Sequence, residues 1–540
     1  MHLARLGSGA GSPVSPRERA AAAGGSSTAG SAAAAAGDDG WSVWQRRRRH
    51  FFVLTAAGKP VFSRHGDEQA LAGFMAVIQA LVSVVADQGD SIQSISVGNC
   101  ELVFLLAGQL YLVAVSSRGE APAALRRQLQ LLYQSILMVV TGGIEKLLQR
   151  SAGYDLQQLL AGSKPSLSAL TSAFSDCPGW MLGSVEPAAA TAADRQAAAA
   201  ALSTAVKTGE ALYGVLLVGR RLLAAAAGKG PPPLNVFDLL LLVNFANSNE
   251  SLSNESLRHS ETFVPVCLPN FQPNAFLHAY ITNIEPGEHQ QQQQQQRHSH
   301  KHPHDACPSS IFLLLLSGSA DSFHKLSAAK QAFAAAMAAT PPAGAAAVAA
   351  AAAGGGAGDG TAAAAAAAAA APQAAAAAAG GGVLARAQAA GARLPGGGRL
   401  RVEALPPPLG GPVGSTPLWH AVVRFPQRKQ HLTLNFPQEL FTARTASSAA
   451  GGMGSGAAAA AAAAAAYMLP YGAMGVPRSH KLVWVSSERW VTGVIVDREV
   501  EVYVTFDPLT EKDVGLKLAE SLRRLFADKA RQQELLVPGL

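Results

Sequence analysis

Four histidines at alternating positions, His298, His300, His302 and His304, form the densest group of potential metal ligands in the 540-residue sequence. Neutral imidazole binds zinc or copper, and a loop can turn alternate side chains towards one ion. These four follow a glutamine run inside an insertion, so a surface tract is the simpler reading. Two SxxK stretches, Ser322-Phe323-His324-Lys325 and Ser327-Ala328-Ala329-Lys330, set a serine one helical turn from a lysine. Nucleophilic catalysis would need partner motifs that do not accompany them, and a capped helix start fits better. Asp67-Glu68 is a carboxylate pair at the entrance of an apolar helix, where negative charge suits the helix dipole better than acid–base work. Glu250, Glu255 and Glu261 read as a solvated loop. Gly228-Lys229-Gly230 lacks the upstream glycine and the Ser/Thr of a phosphate-binding loop, and no GxSxG elbow, HExxH pair or kinase signature occurs. Cys100, Cys177, Cys267 and Cys307 form no CxxC, which argues against a zinc knuckle or redox pair and for reduced thiols. No cofactor or metal is expected, and no enzyme chemistry.

The formal charge of +7 and pI of 9.3 raise the question of an anionic partner. The one dense basic run is Arg46, Arg47, Arg48 and Arg49, directly before an apolar strand. It reads either as a solvated collar or as a contact with an acidic lipid surface or protein partner. No aromatic-interleaved basic repeat or finger spacing follows, so nucleic acid is not expected.

The elements that would carry these residues emerge once low-complexity sequence is set aside. Residues 1–40, a Gln/His insertion at 290–307, a linker at 339–417 and an Ala-rich insertion at 446–477 are nearly pure Ala, Gly, Ser, Pro, Gln or His. The 49% hydrophobic content and mean hydropathy of +0.16 are raised by this alanine. No run reaches the ~20 strongly apolar residues of a membrane span. The amino terminus is Arg- and Ser-bearing and acid-poor, with slight transit-peptide character, but the same bias recurs mid-chain, so a plain disordered tail is expected. What remains is room for three domains, at 44–175, 205–338 and 418–540.

In the first, His50–Ala56 and Val61–Arg64 read as strands joined by the turn Ala57-Gly58-Lys59-Pro60. Leu71, Phe74, Met75, Ile78, Leu81, Val82 and Val85 then mark one helix face. Strands follow at Ser91–Val97, Glu101–Ala107 and Gln109–Ser116, then a long helix with Leu125, Leu129, Leu132, Ile136, Val139 and Leu147 on one side, interrupted at Gly142-Gly143. Short helices are expected at Asp155–Leu160 and Leu167–Phe174. The second domain repeats the plan, with strands at Leu212–Val218, Arg221–Ala226, Phe263–Leu268, Ala275–Ile284 and Ile311–Ser317 and helices at Leu234–Phe245 and Ser322–Met337. The third has strands at Leu418–Arg424, Lys481–Val485, Trp490–Asp497 and Val500–Phe506, then a helix at Asp513–Phe526 with Val514, Leu518, Leu522, Leu525 and Phe526 inward. Each domain is therefore an α+β unit, an antiparallel sheet of about five strands packed with helices.

Several stretches, in order, resemble the Mon family of vacuolar fusion proteins. They are HFFVLTAAGKPVFSRHGDE, LAGFMAVIQAL and CELVFLLAGQLYLVAVS in the first domain; LLLLVNFANSNESL, ETFVPVCLPNFQPNAFLHAYI and SADSFHKL in the second; HKLVWVSSERWVTGV and EVYVTFDPLTEKDV in the third. The resemblance implies three longin-like domains, with low-complexity insertions as the departure. It implies a heterodimer with a Ccz-type subunit, acting as guanine-nucleotide exchange factor on a Rab-seven-class GTPase. It also implies recruitment by a Rab-five-class GTPase and an anionic phosphoinositide surface, in the cytosol and peripherally on late-endosomal and vacuolar membranes. The alternative is a non-catalytic triple-longin trafficking scaffold. Candidate partner-contact residues are Gly58, Lys59, Pro60, Arg64, Asp67 and Glu68, where matched sequence meets loops, with a purely structural turn as the other reading. Arg46, Arg47, Arg48 and Arg49 are the candidates for the membrane or an acidic partner.

Overall fold

The computed structural model describes residues 47–68, 71–118, 120–151, 154–248, 261–284, 310–338, 400–401, 417–435, 482–486 and 491–538. The His298–His304 tract, Cys307, Glu250, Glu255 and most of the low-complexity sequence lie outside these residues.

Five strands build the first sheet: β1 (Arg49–Thr55), β2 (Pro60–Ser63), β3 (Ser94–Val97), β4 (Cys100–Ala107) and β5 (Leu110–Ser116), in the order β2-β1-β5-β4-β3. All pairings are antiparallel. Tight turns at Gly98 and Gly108, with φ of 58° and 56°, close the β3–β4 and β4–β5 hairpins. Helix α1 (Ala72–Ala86) lays Met75, Ile78 and Val82 on Phe52, Leu54, Leu102, Phe104 and Val113. Helix α2 (Pro122–Val140) follows, bent by 82° from α3 (Ile144–Arg150) at the Gly142-Gly143 interruption. The turn residue Thr141 sits at φ 61°, a left-handed conformation that β-branched residues adopt only with strain. Helices α4 (Leu156–Leu160) and α5 (Lys164–Asp176) complete this part. Asp155 caps α4, its carboxylate accepting from the amides of Gln157 and Gln158.

The chain divides into two compact units, residues 1–133 with 143–171, and residues 134–142 with 172–540. Within the second unit, Cys267 N donates to Met138 O (2.8 Å) and Gly142 N to Pro273 O (2.7 Å). After the short helix α6 (Pro178–Met181) comes α7 (Ala192–Thr208), which begins ahead of the expected domain start at 205. Its Ala198, Ala201, Leu202, Ala205 and Val206 lie in the second domain's core, so that domain includes them. Strands β6 (Tyr213–Val218), β7 (Arg221–Ala227), β8 (Glu261–Val266), β9 (Leu277–Asn283) and β10 (Ile311–Ser317) form the sheet β7-β6-β10-β9-β8. Helices α8 (Val236–Ser248) and α9 (Phe323–Ala338) accompany it.

The third sheet runs β11-β13-β12-β16-β15-β14, from β11 (Leu400–Arg401), β12 (Leu418–Phe425), β13 (Gln430–Asn435), β14 (Leu482–Ser486), β15 (Val491–Val496) and β16 (Glu501–Phe506). β11, inside the stretch expected to be linker, pairs in parallel with β13; the other five repeat the order of the first two sheets. β13 was not expected from its sequence, QHLTLN, four of whose six residues are polar. Helix α10 (Lys512–Ala527) covers this core through Leu518, Ala519, Leu522 and Phe526, while Val514, expected inward, is exposed. Helix α11 (Lys529–Leu535) follows. Among the described residues no single helix is long and apolar enough to cross a membrane.

Candidate functional site

The expected contact residues lie at two ends of β1. Gly58, Lys59 and Pro60 form the β1–β2 turn: Gly58 N donates to Thr55 O (2.8 Å) and Thr55 N to Lys59 O (2.9 Å), with Gly58 at φ 79°. A Cβ there would stand 3.1 Å from Gln79 Oε1, whose side chain reaches the turn to donate to Ala56 O at 3.3 Å. Gly58 is thus required by its backbone, while the Gln79 side chain would have to shift slightly for any other residue. Lys59 is exposed.

Seven residues away along β1, roughly 20 Å at the rise of a strand, the chain enters with Arg47 and Arg48 exposed. Arg64 and His65, at the end of antiparallel β2, return to this same end, since Arg64 N donates to Phe51 O (3.1 Å). Here Arg49 and Glu68 correct the expectation. Arg49 is only 2% exposed and pairs with Glu120 at 3.0 Å, with Gln128 Oε1 at 3.4 Å and Thr171 O at 3.3 Å. β1 is buried on both faces along its whole length, Arg49 included, so this side chain is engaged inside the protein and not at the surface. Glu68 is 5% exposed. It pairs with Lys164 at 3.0 Å and accepts from Ser63 N, which leaves Asp67 alone of the acidic pair at the surface. Arg46 falls outside the described residues.

Burial tends to raise the Glu120 carboxyl, but Arg49 and hydrogen bonds from Ser116 and Gln128 hold it below its ordinary value. His50 and His65 meet edge-to-face at 5.8 Å between centroids. Burial, then the positive charge of Arg64, pushes both imidazoles down to about 4. This pair carried no sequence signal beyond two histidines 15 positions apart.

A second surface escaped the sequence reading because α1 carries two apolar stripes. Leu81, expected inward, is exposed with Val77 and Val84 at i, i+4 and i+7 spacing. Strand β3, whose Val97 is also exposed, pairs only with β4 and forms the sheet edge among the described strands.

The other chemical candidates resolve into structure. Ser322 donates to Ser319 O (2.8 Å) and Lys325 pairs with Glu210 (2.7 Å), so the first SxxK is a helix entrance. Glu261 lies on β8, paired with Lys330 at 2.8 Å, and not in a solvated loop. Ser184 Oγ and His431 Nδ1 approach to 3.1 Å, a nucleophile–base distance, but both are buried, and Ser184 also donates to Gly179 O (3.0 Å). They stitch a segment to β13. A polar hollow of about 220 Å³ lined by Gln427, Arg428, Glu499 and Lys529 brings no nucleophile and base together. No group of three His, Cys, Asp or Glu suited to a metal occurs among the described residues, and Cys100, Cys177 and Cys267 are not in disulfides.

Comparison with known proteins matches both of the first two sheets. A family model described as the first longin domain of FUZ, MON1 and HPS1 matches residues 49–170, and that of their second longin domain matches 209–335. The vacuolar fusion protein MON1 homolog of Arabidopsis thaliana is 38% identical over 229 residues, 42% of this chain and 37% of that protein. MON1 homolog B of Homo sapiens is 33% identical over 284 residues, 52% of this chain and 47% of that protein. MON1 of Cryptococcus neoformans var. neoformans serotype D is 36% identical over 235 residues, 43% and 37%. The chain thus spans less than half the length of these curated relatives.

Proposed function

The chain belongs to the Mon family of vacuolar fusion proteins, and from that premise we propose that it is one subunit of a heterodimeric guanine-nucleotide exchange factor. Its substrate is a late-endosomal Rab-seven-class GTPase, its partner a Ccz-type subunit, and its place the vacuolar or endosomal membrane. A Rab-five-class GTPase and anionic phosphoinositides recruit it there. The observation that carries the reading is the pair of longin models falling, in order, on two sheets of identical strand order, in a chain whose relatives are named for vacuolar fusion. Exchange needs a surface that binds the nucleotide-free GTPase more tightly than the loaded form, which a rigid sheet-and-helix platform supplies. The exposed second apolar stripe of α1 and the β3 edge each support a paired platform, because exposed edges and apolar faces favour a second chain.

The test is release of fluorescent nucleotide from a Rab-seven-class GTPase. The chain alone should release it no faster than buffer; with the Ccz-type subunit release should accelerate. Full activity from the chain alone overturns the heterodimer. No activity from the complex on any Rab favours a non-catalytic scaffold, the reading that the inclusion of FUZ and HPS1 in the same family models keeps in view.

A further inference from the structure

Three loops meet at one end of the third sheet. The β12–β13 connector, Pro426–Arg428, closes on Lys429, which sits in the left-handed region at φ 52°. The β15–β16 turn carries Glu499, and α11 begins at Lys529. The β12–β16 register sets Arg424 opposite Glu501 and so brings the first two loops together. The polar hollow of about 220 Å³ lies among them, lined by Gln427, Arg428, Glu499, Lys529 and Gln532 with buried Phe425. Arg424 and Glu501, buried at this end of the sheet, close on each other at 2.7 Å, and Tyr503 Oη donates to the same carboxylate at 2.9 Å. The charges of the hollow do not close in this way. Among the described residues, none of Arg428, Glu499 and Lys529 is in an ion pair or a side-chain hydrogen bond, although all three line one hollow. Charges nearby are already engaged: Arg523 pairs with Asp497 at 2.8 Å and with Glu520 at 2.7 Å, and Asp528 accepts from Ala530 N at 3.0 Å.

We propose that this hollow binds a free acidic α-amino acid, its two carboxylates held by Arg428 and Lys529 and its ammonium by Glu499. Such a molecule carries two carboxylates and one ammonium at neutral pH, the complement of two cations and one carboxylate. The Arg428 guanidinium offers a carboxylate two parallel donors, and the Lys529 ammonium is a point charge for the other. A dicarboxylate without nitrogen leaves Glu499 unmatched, and a neutral amino acid leaves one cation unmatched, so both are disfavoured. The volume is that of roughly seven waters at ~30 Å³ each, enough for this ligand and too little to enclose a nucleotide. All three charged side chains are exposed, so each contact has the modest strength of a surface ion pair and the dissociation constant should lie near the millimolar range. The hollow is in the third domain, outside the residues that either longin model matches, and its use does not depend on nucleotide exchange.

The test is ligand-observed saturation-transfer NMR on the full chain. L-glutamate is titrated beside N-acetyl-L-glutamate, which lacks the ammonium, and L-glutamine, which lacks the second carboxylate. Glutamate should bind about threefold more tightly than either, the increment of one exposed ion pair. Arg428→Gln with Lys529→Gln should weaken glutamate binding about tenfold, and Glu499→Gln should remove the preference over N-acetyl-L-glutamate. Lys517→Gln, exposed on α10, should leave binding unchanged, and equal thermal midpoints would show every variant folded. The comparison of ligands on the wild-type chain stands without any variant. No saturable binding of glutamate, equal binding of N-acetyl-L-glutamate, an unaffected double variant, or tighter binding of an acidic peptide than of free glutamate each overturns the proposal.

Discussion

Arg49 follows Arg47 and Arg48 in one basic run, yet it alone of the three enters the protein, to meet Glu120. Composition registers only the charge; Arg49 is buried because it opens a strand buried on both faces, and its partner lies 71 residues away. Removing one member of a buried pair strands the other charge, so Arg49→Gln should cost about 3–5 kcal/mol in chemical denaturation. The Arg47→Gln variant should stay within about 0.5 kcal/mol of wild type. Acid should act at the same place. The unfolded chain protonates His50 near 6.5 but the folded chain only near 4, so between those values the unfolded state takes up more protons and stability falls as pH is lowered. Glu120, held low when folded, gives stability that is present above its unfolded pKa and is lost as pH falls through its folded one. The urea midpoint should therefore drop from pH 6.5 towards 4, and His50→Gln should flatten the upper part of that fall.

Helix α1 shows where an apolar stripe informs and where it misleads. Met75, Ile78 and Val82 are core, as their spacing indicates, but Val77, Leu81 and Val84 satisfy the same rule on another side. Periodicity identifies an apolar face without saying whether the chain's own sheet covers it. Ile78→Asp should bury an unpaired charge and abolish soluble folded protein. Leu81→Asp should leave the thermal midpoint nearly unchanged while reducing recovery of the proposed Ccz-type partner in co-purification. Helix α7 erred in the other direction. Its alanines look like the filler around them, but Ala198, Ala201 and Ala205 are fully enclosed or nearly so, and a Cβ on Gly214 would stand 2.6 Å from Val206. Small residues on both sides permit that close approach. Gly214→Val should overpack it, costing roughly 1–3 kcal/mol by denaturation. Strand β13 was missed because His431 and Thr433 are buried polar residues, and single-chain alternation scores them as surface.

Across the whole chain, the threefold recurrence of a small antiparallel sheet with helices was legible from turns and apolar runs, because each hairpin is local in sequence, whereas the shared strand order was not. What joins the second and third domains was not, since it depends on contacts hundreds of positions apart. Removing 343–398 and 446–475 spares every described strand and helix, and should leave the thermal midpoint and the proposed exchange activity nearly unchanged.

Between α6 and α7 the connecting segment touches both neighbouring sheets: Val185 bridges to Gln430 on the third, Pro187 to Leu222 on the second. Gln430 in turn exchanges two hydrogen bonds with the backbone of Val537, at 2.8 and 2.9 Å, and Arg195 on α7 donates to Glu534 O. Covalent continuity through 339–399 is then redundant for holding these domains together. A protease site engineered there, once cut, should yield two bands on a denaturing gel and a single peak by size exclusion. Arg195→Ala combined with Ser184→Ala, which removes the side-chain contacts to Glu534 O and His431, should let the peak split. The two halves could equally be supplied as separate polypeptides and reassemble, which would make the join between them a place where other sequence can be inserted without disturbing the folded body.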